Sequence, residues 1–276
     1  MINILSLGAG VQSSVVLLMS CRGELPKVDL AIFADTQWEP PEVYTHLKWL
    51  EVEAAKAGVP VVRVTAGNIR KDAMEKQVHN GERGRFAAMP LRVLNTDSGE
   101  GMLRRQCTRE YKVMPITRYI KEELLGYKRG ARMPKEPVVT QWFGISIDEP
   151  QRMRTSHEKW ITNQYPLIGF PDEMLDRPMS RLACHAWFDK RYPGRELVKS
   201  ACVGCPYHTN HEWLRVKADK ATWEDAVDFD KRIRNMVGLE GKAYLHRSLK
   251  PLDEVTLEDP DQLDLFEGEC EGLCGV

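Results

Sequence analysis

The sequence predicts an α/β fold, a parallel sheet layered with helices, followed by a helical cysteine-bearing region. Three observations predict it. Apolar runs of strand length alternate with segments of helical period over residues 1–64. Each strand-to-helix passage is marked by Gly or Pro. Consecutive strands separated by a whole helix must pair in parallel, through right-handed crossovers. The 276 residues, 42% of them hydrophobic, are enough for one large domain or one domain with an appendage.

The elements follow in order. Asn3–Leu7 reads as a short buried strand and residues 8–10, Gly-Ala-Gly, as a turn. Gln12–Cys21 reads as a helix with an apolar stripe from Val15 to Met19. Val28–Ala34 alternates and ends at Asp35-Thr36, giving a second strand. Pro40 and Pro41 stand where a helix start tolerates proline, Glu42–Lys56 continues at helical spacing, and Gly58 closes it. Val59–Val64 is the third strand. Residues 79–101, rich in Gly, Arg, Asn and Asp, read as a long loop of the kind that is functional or disordered. Tyr111–Leu125 is a helix, 126–137 a connector and Val138–Ile145 a strand. Met179–Tyr192, His211–Lys217 and Ala221–Met236 are helical, and 250–276 is acidic and irregular. The predicted organisation is therefore a nucleotide-binding α/β unit over 1–170, a helical region over 171–249 and a flexible tail over 250–276.

The formal net charge of −1 provides no global attraction to nucleic acid or membrane, so any such contact needs a local basic patch. No apolar run reaches about 18 residues, the length that spans a bilayer. Met1–Leu7 lacks the basic start and long apolar core of a signal peptide. Seven cysteines, an odd number without the spacing of a secreted scaffold, fit a reduced, cytoplasmic protein whose cysteines do chemistry or hold metal.

The run from Ser6 through Gly8, Ala9, Gly10 and Gln12 to Ser13 and Ser14 joins the first strand to the first helix. Glycines allow a close backbone approach, and a helix N-terminus offers unpaired N–H groups to a phosphate. A tight turn with an N-capping serine is the plainer reading. The run has neither the Gly-Lys-Ser/Thr of a Walker A loop nor a GxGxxG. Asp35 and Thr36 fall at a strand's carboxyl end, where ligands bind in open α/β sheets. Arg109, Lys112, Arg152 and Arg154 are suited to phosphate or sulfate oxygens, or to plain surface solvation. Asp148 and Glu149 suit a metal, a ribose or an exposed turn, and Arg104 and Arg105 suit a nucleic-acid backbone.

Cys202-Val-Gly-Cys205-Pro aims two thiolates at one centre, as zinc and iron–sulfur sites require. Structural zinc, with His185 or His208, and a redox dithiol stay open beside it. Cys21 falls on an apolar helix face and reads as core packing.

The loop resembles the pyrophosphate-binding PP-loop, Ser-Gly-Gly-x-Asp-Ser, of adenine-nucleotide α-hydrolases, and the chain is most similar to the phosphoadenosine phosphosulfate reductase family. Ala9 stands at a loop glycine of that pattern and Gln12 at its aspartate. Asp35-Thr36-Gln37-Trp38-Glu39, Cys107 to Pro115, Gly144 to Arg152, Tyr165 to Ile168 and Ser200 to Pro206 are similar to further segments of the family, in family order. The resemblance implies a PP-loop, Rossmann-like sheet with helices on both faces. It implies an enzyme of sulfur chemistry that binds ATP or an adenosine phosphosulfate at Ser6, Gly8, Ala9, Gly10, Gln12, Ser13, Ser14, Asp35, Thr36, Gly144 and Arg152, with Mg²⁺ as an accessory ion. Arg109 and Lys112 would act on the nucleotide. Cys107, Cys202 and Cys205 would hold a 4Fe–4S cluster, or zinc, with Cys184 as the fourth ligand. Glu269-Cys270-Glu271-Gly272-Leu273-Cys274 resembles the reductases' catalytic tail, so that Cys270 or Cys274 would be the mobile thiol. Two chemistries follow: reduction of a phosphosulfate, or cleavage of ATP at its α-phosphate to adenylate an acceptor that then takes sulfur. Expected partners are a thiol-redox or sulfur-donor protein and, for the second chemistry, a nucleic-acid acceptor, which the arginines of 83–92 and 104–109 favour. A non-catalytic nucleotide- or metal-binding protein is the third reading.

Overall fold

The computed structural model describes residues 1–75, 78–79, 82–83, 88–95, 99–172, 174–236 and 239–257. Its centre is a five-stranded, all-parallel sheet. Along the chain, β1 (Ile2–Leu7), α1 (Val11–Cys21), β2 (Leu30–Asp35), α2 (Pro41–Lys56) and β3 (Val61–Thr65) alternate as the pattern predicts. Then come α3 (Ile69–Glu75), the short antiparallel pair β4 (Val78–His79) and β5 (Glu82–Arg83), and the hairpin of β6 (Arg92–Asn95) and β7 (Gly99–Met102). The next helix is composite: α4 (Met114–Tyr119) lies between wider π-helical turns at Arg109–Val113 and Ile120–Leu124. After it follow β8 (Val139–Phe143), β9 (Ile161–Gln164), α5 (Arg181–Arg191), α6 (Asn210–Ala218), α7 (Lys220–Ile233) and β10 (Lys242–Tyr244).

The period of two sorts the sheet's side chains between two cores. Leu5, Leu7, Ala31, Phe33 and Trp142 face α1, α2 and α5. Ile4, Leu30, Ile32, Val139 and Ile161 face the composite helix through Ile116 and Ile120. Both faces are covered, so β2 is apolar without a break from Leu30 to Ala34, and β1 sends Ile4 and Leu5 to opposite cores. A third core joins Trp38 and Tyr111 to Trp213, Phe229 and Ile233 of α6 and α7.

Three expectations are corrected. Residues 79–101 are not one irregular loop: β6 and β7 pair with each other and with β10 in a three-stranded antiparallel sheet. The sequence Gly-Glu-Gly-Met of β7 contains no strand former and is exposed throughout, so its order comes from pairing. β9 extends the parallel sheet by one strand, and its register runs from Val139↔Ile161 to Trp142↔Gln164. The helical 171–249 region also contains β10. Among the described residues no helix is long and apolar enough to cross a membrane.

Candidate functional site

The order β3-β2-β1-β8-β9 places the topological switch between β1 and β8, and a crevice opens there beyond the strands' carboxyl ends. The loop after β1 forms one wall. Its left-handed residue is Ala9, with φ +56°, while Gly10 is extended and starts α1 without a side-chain cap. The glycine at 10 is thus not needed for a positive φ; what it offers is an open approach to the helix N-terminus. Ser13 Oγ accepts from the Gly8 N–H at 3.2 Å and donates to the Gly10 carbonyl at 3.4 Å. The loop after β8 forms the other wall. A Cβ on Gly144 would lie 2.5 Å from the Ser13 nitrogen and 2.8 Å from the Gln12 carbonyl carbon. Only glycine lets these two loops touch.

Gln12 pins them together. Its Nε2 donates to Glu149 Oε1 at 3.1 Å and to Ser146 Oγ at 3.4 Å, deep in the protein. Glu149 is also ion-paired to Arg152. Arg152 is thereby engaged with Glu149 beneath the loop. Gln12 Oε1 is buried without a hydrogen-bond partner. That oxygen and the Glu149 carboxylate are hard donors close to the loop, but Glu149 is already spent on Gln12 and Arg152. A Mg²⁺ here would rely chiefly on phosphate oxygens, its usual partners in nucleotide sites. Ser14 turns away: its hydroxyl bonds His46 Nε2 of α2 at 3.0 Å, and burial pushes that histidine down to about 4.

Three cavities meet at Lys112. The first lies against the loop, between Ser6, Gly8, Gly10, Ser13 and Gly144. It continues through Ser6 and Ile116 into a groove of about 670 Å³ bounded by Arg109, Arg118, Gln141 and His157. That volume is typical of small-molecule sites. The third is lined by Thr36, Cys107, Cys202 and Cys205 together with Arg105 and Tyr207. Lys112 lines all three.

The Cys-x-x-Cys turn is docked on the segment after β2. Val203 N–H donates to the Trp38 carbonyl at 2.8 Å, and Trp38 lies so close over Gly204 that a Cβ there would sit 2.2 Å from the ring. His208 Nε2 approaches the Cys202 carbonyl at 3.0 Å. Cys202 Sγ–H donates to Glu39 Oε1 at 3.7 Å, and Thr36 Oγ1 donates to the same oxygen at 3.2 Å, 3.2 Å from the sulfur. Burial and the Glu39 carboxylate push the Cys202 thiol well up, against the opposing pull of Lys112 and the Thr36 hydroxyl.

Of the four cysteines expected together, Cys107, Cys202 and Cys205 line one cavity. Cys184 does not: it is fully buried on α5 in the core with α1, on the α1–α2 side of the sheet. Among the described residues no group of three or more His, Cys, Asp or Glu side chains is placed to share one metal ion. Cys184 thus lies in a different core from the cavity that the other three cysteines line. Cys270 and Cys274 lie outside the described residues.

Asp35 Oδ1 accepts from the Gln37 N–H at 2.7 Å and from Tyr44 Oη at 2.8 Å, which orders the segment carrying Thr36 and Glu39. Asp148, bonded to Ser146 and to the backbone at Arg181, does the same for the β8 loop. In the sequence Glu39 stands out only as one member of a pattern; its buried place beside Cys202 gives it a role. Ser200, which donates to Glu39 Oε2 at 3.4 Å and lines the loop cavity, carries no sequence signal beyond its closeness to the Cys-x-x-Cys. Compared with family models, with curated proteins and with solved structures, the chain finds no match in any of the three.

Proposed function

We propose that this protein is an enzyme that binds an adenine nucleotide at the loop of Gly8, Gly10 and Ser13 and performs sulfur chemistry at Cys202. The observation that carries the reading is the meeting of the loop cavity, the groove and the cysteine cavity at Lys112. Phosphates at the α1 N-terminus would be met by its N–H groups, by Ser13 and by the Lys112 ammonium. The groove has room for ribose and adenine, with Arg109 at its rim. Cys202 would then be the nucleophile, with Glu39 as the base that takes its proton.

Two reactions use this arrangement. In one, the Cys202 sulfur, its proton taken by Glu39, attacks the sulfur of an adenosine phosphosulfate and expels the nucleotide phosphate; a second thiol, supplied by an added reductant, then attacks the Cys202 sulfur, releasing sulfite and leaving a disulfide. In the other, ATP adenylates an acceptor with loss of pyrophosphate; the outer sulfur of a donor protein's persulfide then displaces AMP, and a reducing thiol cleaves the resulting disulfide to leave the sulfur on the acceptor. Anaerobic assays with ATP and with the phosphosulfate nucleotide, run side by side, decide between them. Sulfite release selects reduction and pyrophosphate release selects adenylation; neither product, with nucleotide bound, refutes the enzymatic reading. Metal analysis of anaerobically purified protein tests whether Cys107, Cys202 and Cys205 hold zinc or iron instead.

A further inference from the structure

The Glu39 side chain stands between two cavities. It is buried, 5% exposed, and its two oxygens serve different sides. Oε1 accepts from the Thr36 hydroxyl at 3.2 Å and from the Cys202 thiol at 3.7 Å. Thr36 and Cys202 line the cysteine cavity. Oε2 accepts from the Ser200 hydroxyl at 3.4 Å. Ser200, 2% exposed, lines the loop cavity together with Gly8, Gly10, Ser13 and Lys112. The short run Ser200-Ala201-Cys202 therefore has one end in each cavity, and Glu39 closes a hydrogen-bonded link between the two ends. The link runs from the place where a phosphate would sit to the sulfur that would react.

A serine hydroxyl has one proton to donate. With the loop cavity empty of phosphate, that proton is spent on Glu39. A phosphate oxygen in the cavity is a charged acceptor that competes for it. Hydrogen bonds to a carboxylate stabilise its charged form, so a carboxylate that loses a donor takes up a proton more readily. Of the two donors on the other oxygen, the Cys202 thiol is the acidic one. We propose that Ser200 couples the nucleotide to the thiol: a phosphate oxygen in the loop cavity draws the Ser200 hydroxyl away from Glu39, and the freed carboxylate takes the Cys202 proton. The serine keeps its own proton and only rotates. One proton moves, from the Cys202 sulfur to Glu39 Oε1, and the negative charge of the pair passes to the sulfur. Lys112, which lines both cavities, favours that thiolate. Without nucleotide the thiol keeps its proton and stays unreactive. The coupling rests on the nucleotide reading given above.

The test is the reactivity of Cys202 with and without ATP. The full chain is treated with iodoacetamide at pH 8 in both states, and mass spectrometry reads the alkylation of Cys202 and Cys107 together. Cys107 lines the same cavity, so the ratio of the two rates corrects for a change in access. Calorimetry measures ATP affinity and sets a saturating concentration for each protein. In wild type, ATP should raise the Cys202 to Cys107 ratio about tenfold, roughly the effect of one lost hydrogen bond on a proton equilibrium. Ser200→Ala lacks that bond from the start, so its ratio should already be raised without ATP and should not respond to ATP. Gly10→Val, expected to lose ATP, should keep the low ratio with or without it. Wild type that binds ATP with an unmoved or lower ratio overturns the coupling and leaves the nucleotide reading standing. A Ser200→Ala ratio that starts low and responds to saturating ATP as wild type does overturns it as well. Absence of ATP binding to wild type refutes the nucleotide reading, and the coupling falls with it.

Discussion

Replacing Gly144 by alanine tests the central contact of the site. The backbone at 144 has no positive φ, so alanine carries no conformational penalty there, and the perturbation is the Cβ alone. That carbon would meet the Ser13 nitrogen at 2.5 Å, the Ser13 Cα at 2.7 Å and the Gln12 carbonyl carbon at 2.8 Å. All three are backbone atoms at the first turn of α1 and none can rotate away, so one loop must move. Overpacking of this kind costs about 1–3 kcal/mol. The displaced atoms belong to the N–H groups proposed to bind phosphate, so ATP affinity should fall by about tenfold for each ~1.4 kcal/mol of interaction lost. Gly101 is the control: it has no positive φ, and a Cβ there would meet no atom within 4 Å, so Gly101→Ala should change neither quantity. Urea unfolding measures the stability and isothermal titration the affinity. If Gly144→Ala unfolds within about 0.5 kcal/mol of wild type and binds ATP as tightly, the close contact between the two loops is not what shapes the site.

Four further expectations follow from the same geometry. Ser14→Ala leaves the buried His46 nitrogen without its partner and should cost about 1–3 kcal/mol of stability with ATP affinity intact, whereas Ser13→Ala should weaken ATP binding; calorimetry of the two variants separates the roles. Glu39→Gln removes the carboxylate that raises the Cys202 thiol and the base proposed to take its proton, so the pH profile of Cys202 alkylation by iodoacetamide, followed by mass spectrometry, should move down while turnover is lost; an unmoved profile together with full turnover sinks the assignment. His46 and His246 are held near 4 in the folded state against an ordinary 6.5, so the unfolded chain takes up more protons between those values. Stability is therefore complete above pH 6.5 and falls as pH drops toward 4, by roughly 3 kcal/mol per histidine at the low end, and urea midpoints that stay flat from pH 7 to 4.5 would count against it. Deleting residues 269–276 should abolish turnover and spare nucleotide binding if Cys270 or Cys274 is the mobile thiol; full turnover leaves Cys202 as the only nucleophile needed.

The parallel sheet was legible because its strands are buried on both faces. Ile4 and Leu5, or Ile32 and Phe33, go to opposite cores, and the unbroken apolar run Leu30–Ala34 of β2 is the clearest sequence record of that. The β6–β7–β10 sheet left no such record. β7 has no strand formers, and β10 lies some 140 residues further along the chain, so pairing over that distance decides what local propensity does not. Cys184 shows the same limit from the other side. It stands 18 residues before Cys202, a spacing that allows a shared ligand set, yet it lies on α5, packed against α1 across the sheet from the composite helix. Spacing bounds what a chain can bring together; packing chooses.

The two departures from the PP-loop pattern are where the structure adds most. Ala9 takes the left-handed turn that the glycine of the pattern would take freely, and its methyl is fully buried beside Leu7 and Val11, so burial offsets part of the conformational cost of about 1–2 kcal/mol. At position 12 the amide matters. An aspartate there would face the Glu149 carboxylate, 3.1 Å from the Gln12 nitrogen, with Arg152 as the cation bonded to that carboxylate. Glutamine turns that repulsion into a hydrogen bond that ties the β8 loop to α1. Gln12, Glu149 and Arg152 are thus one coupled set. Gln12→Asp alone should therefore lower both stability and ATP affinity, and Gln12→Asp with Glu149→Gln should restore stability, because the second change removes the like charge that the first creates. A double variant no more stable than Gln12→Asp would mean that the two positions are not coupled, and that glutamine stands at 12 for a reason other than its bond to Glu149.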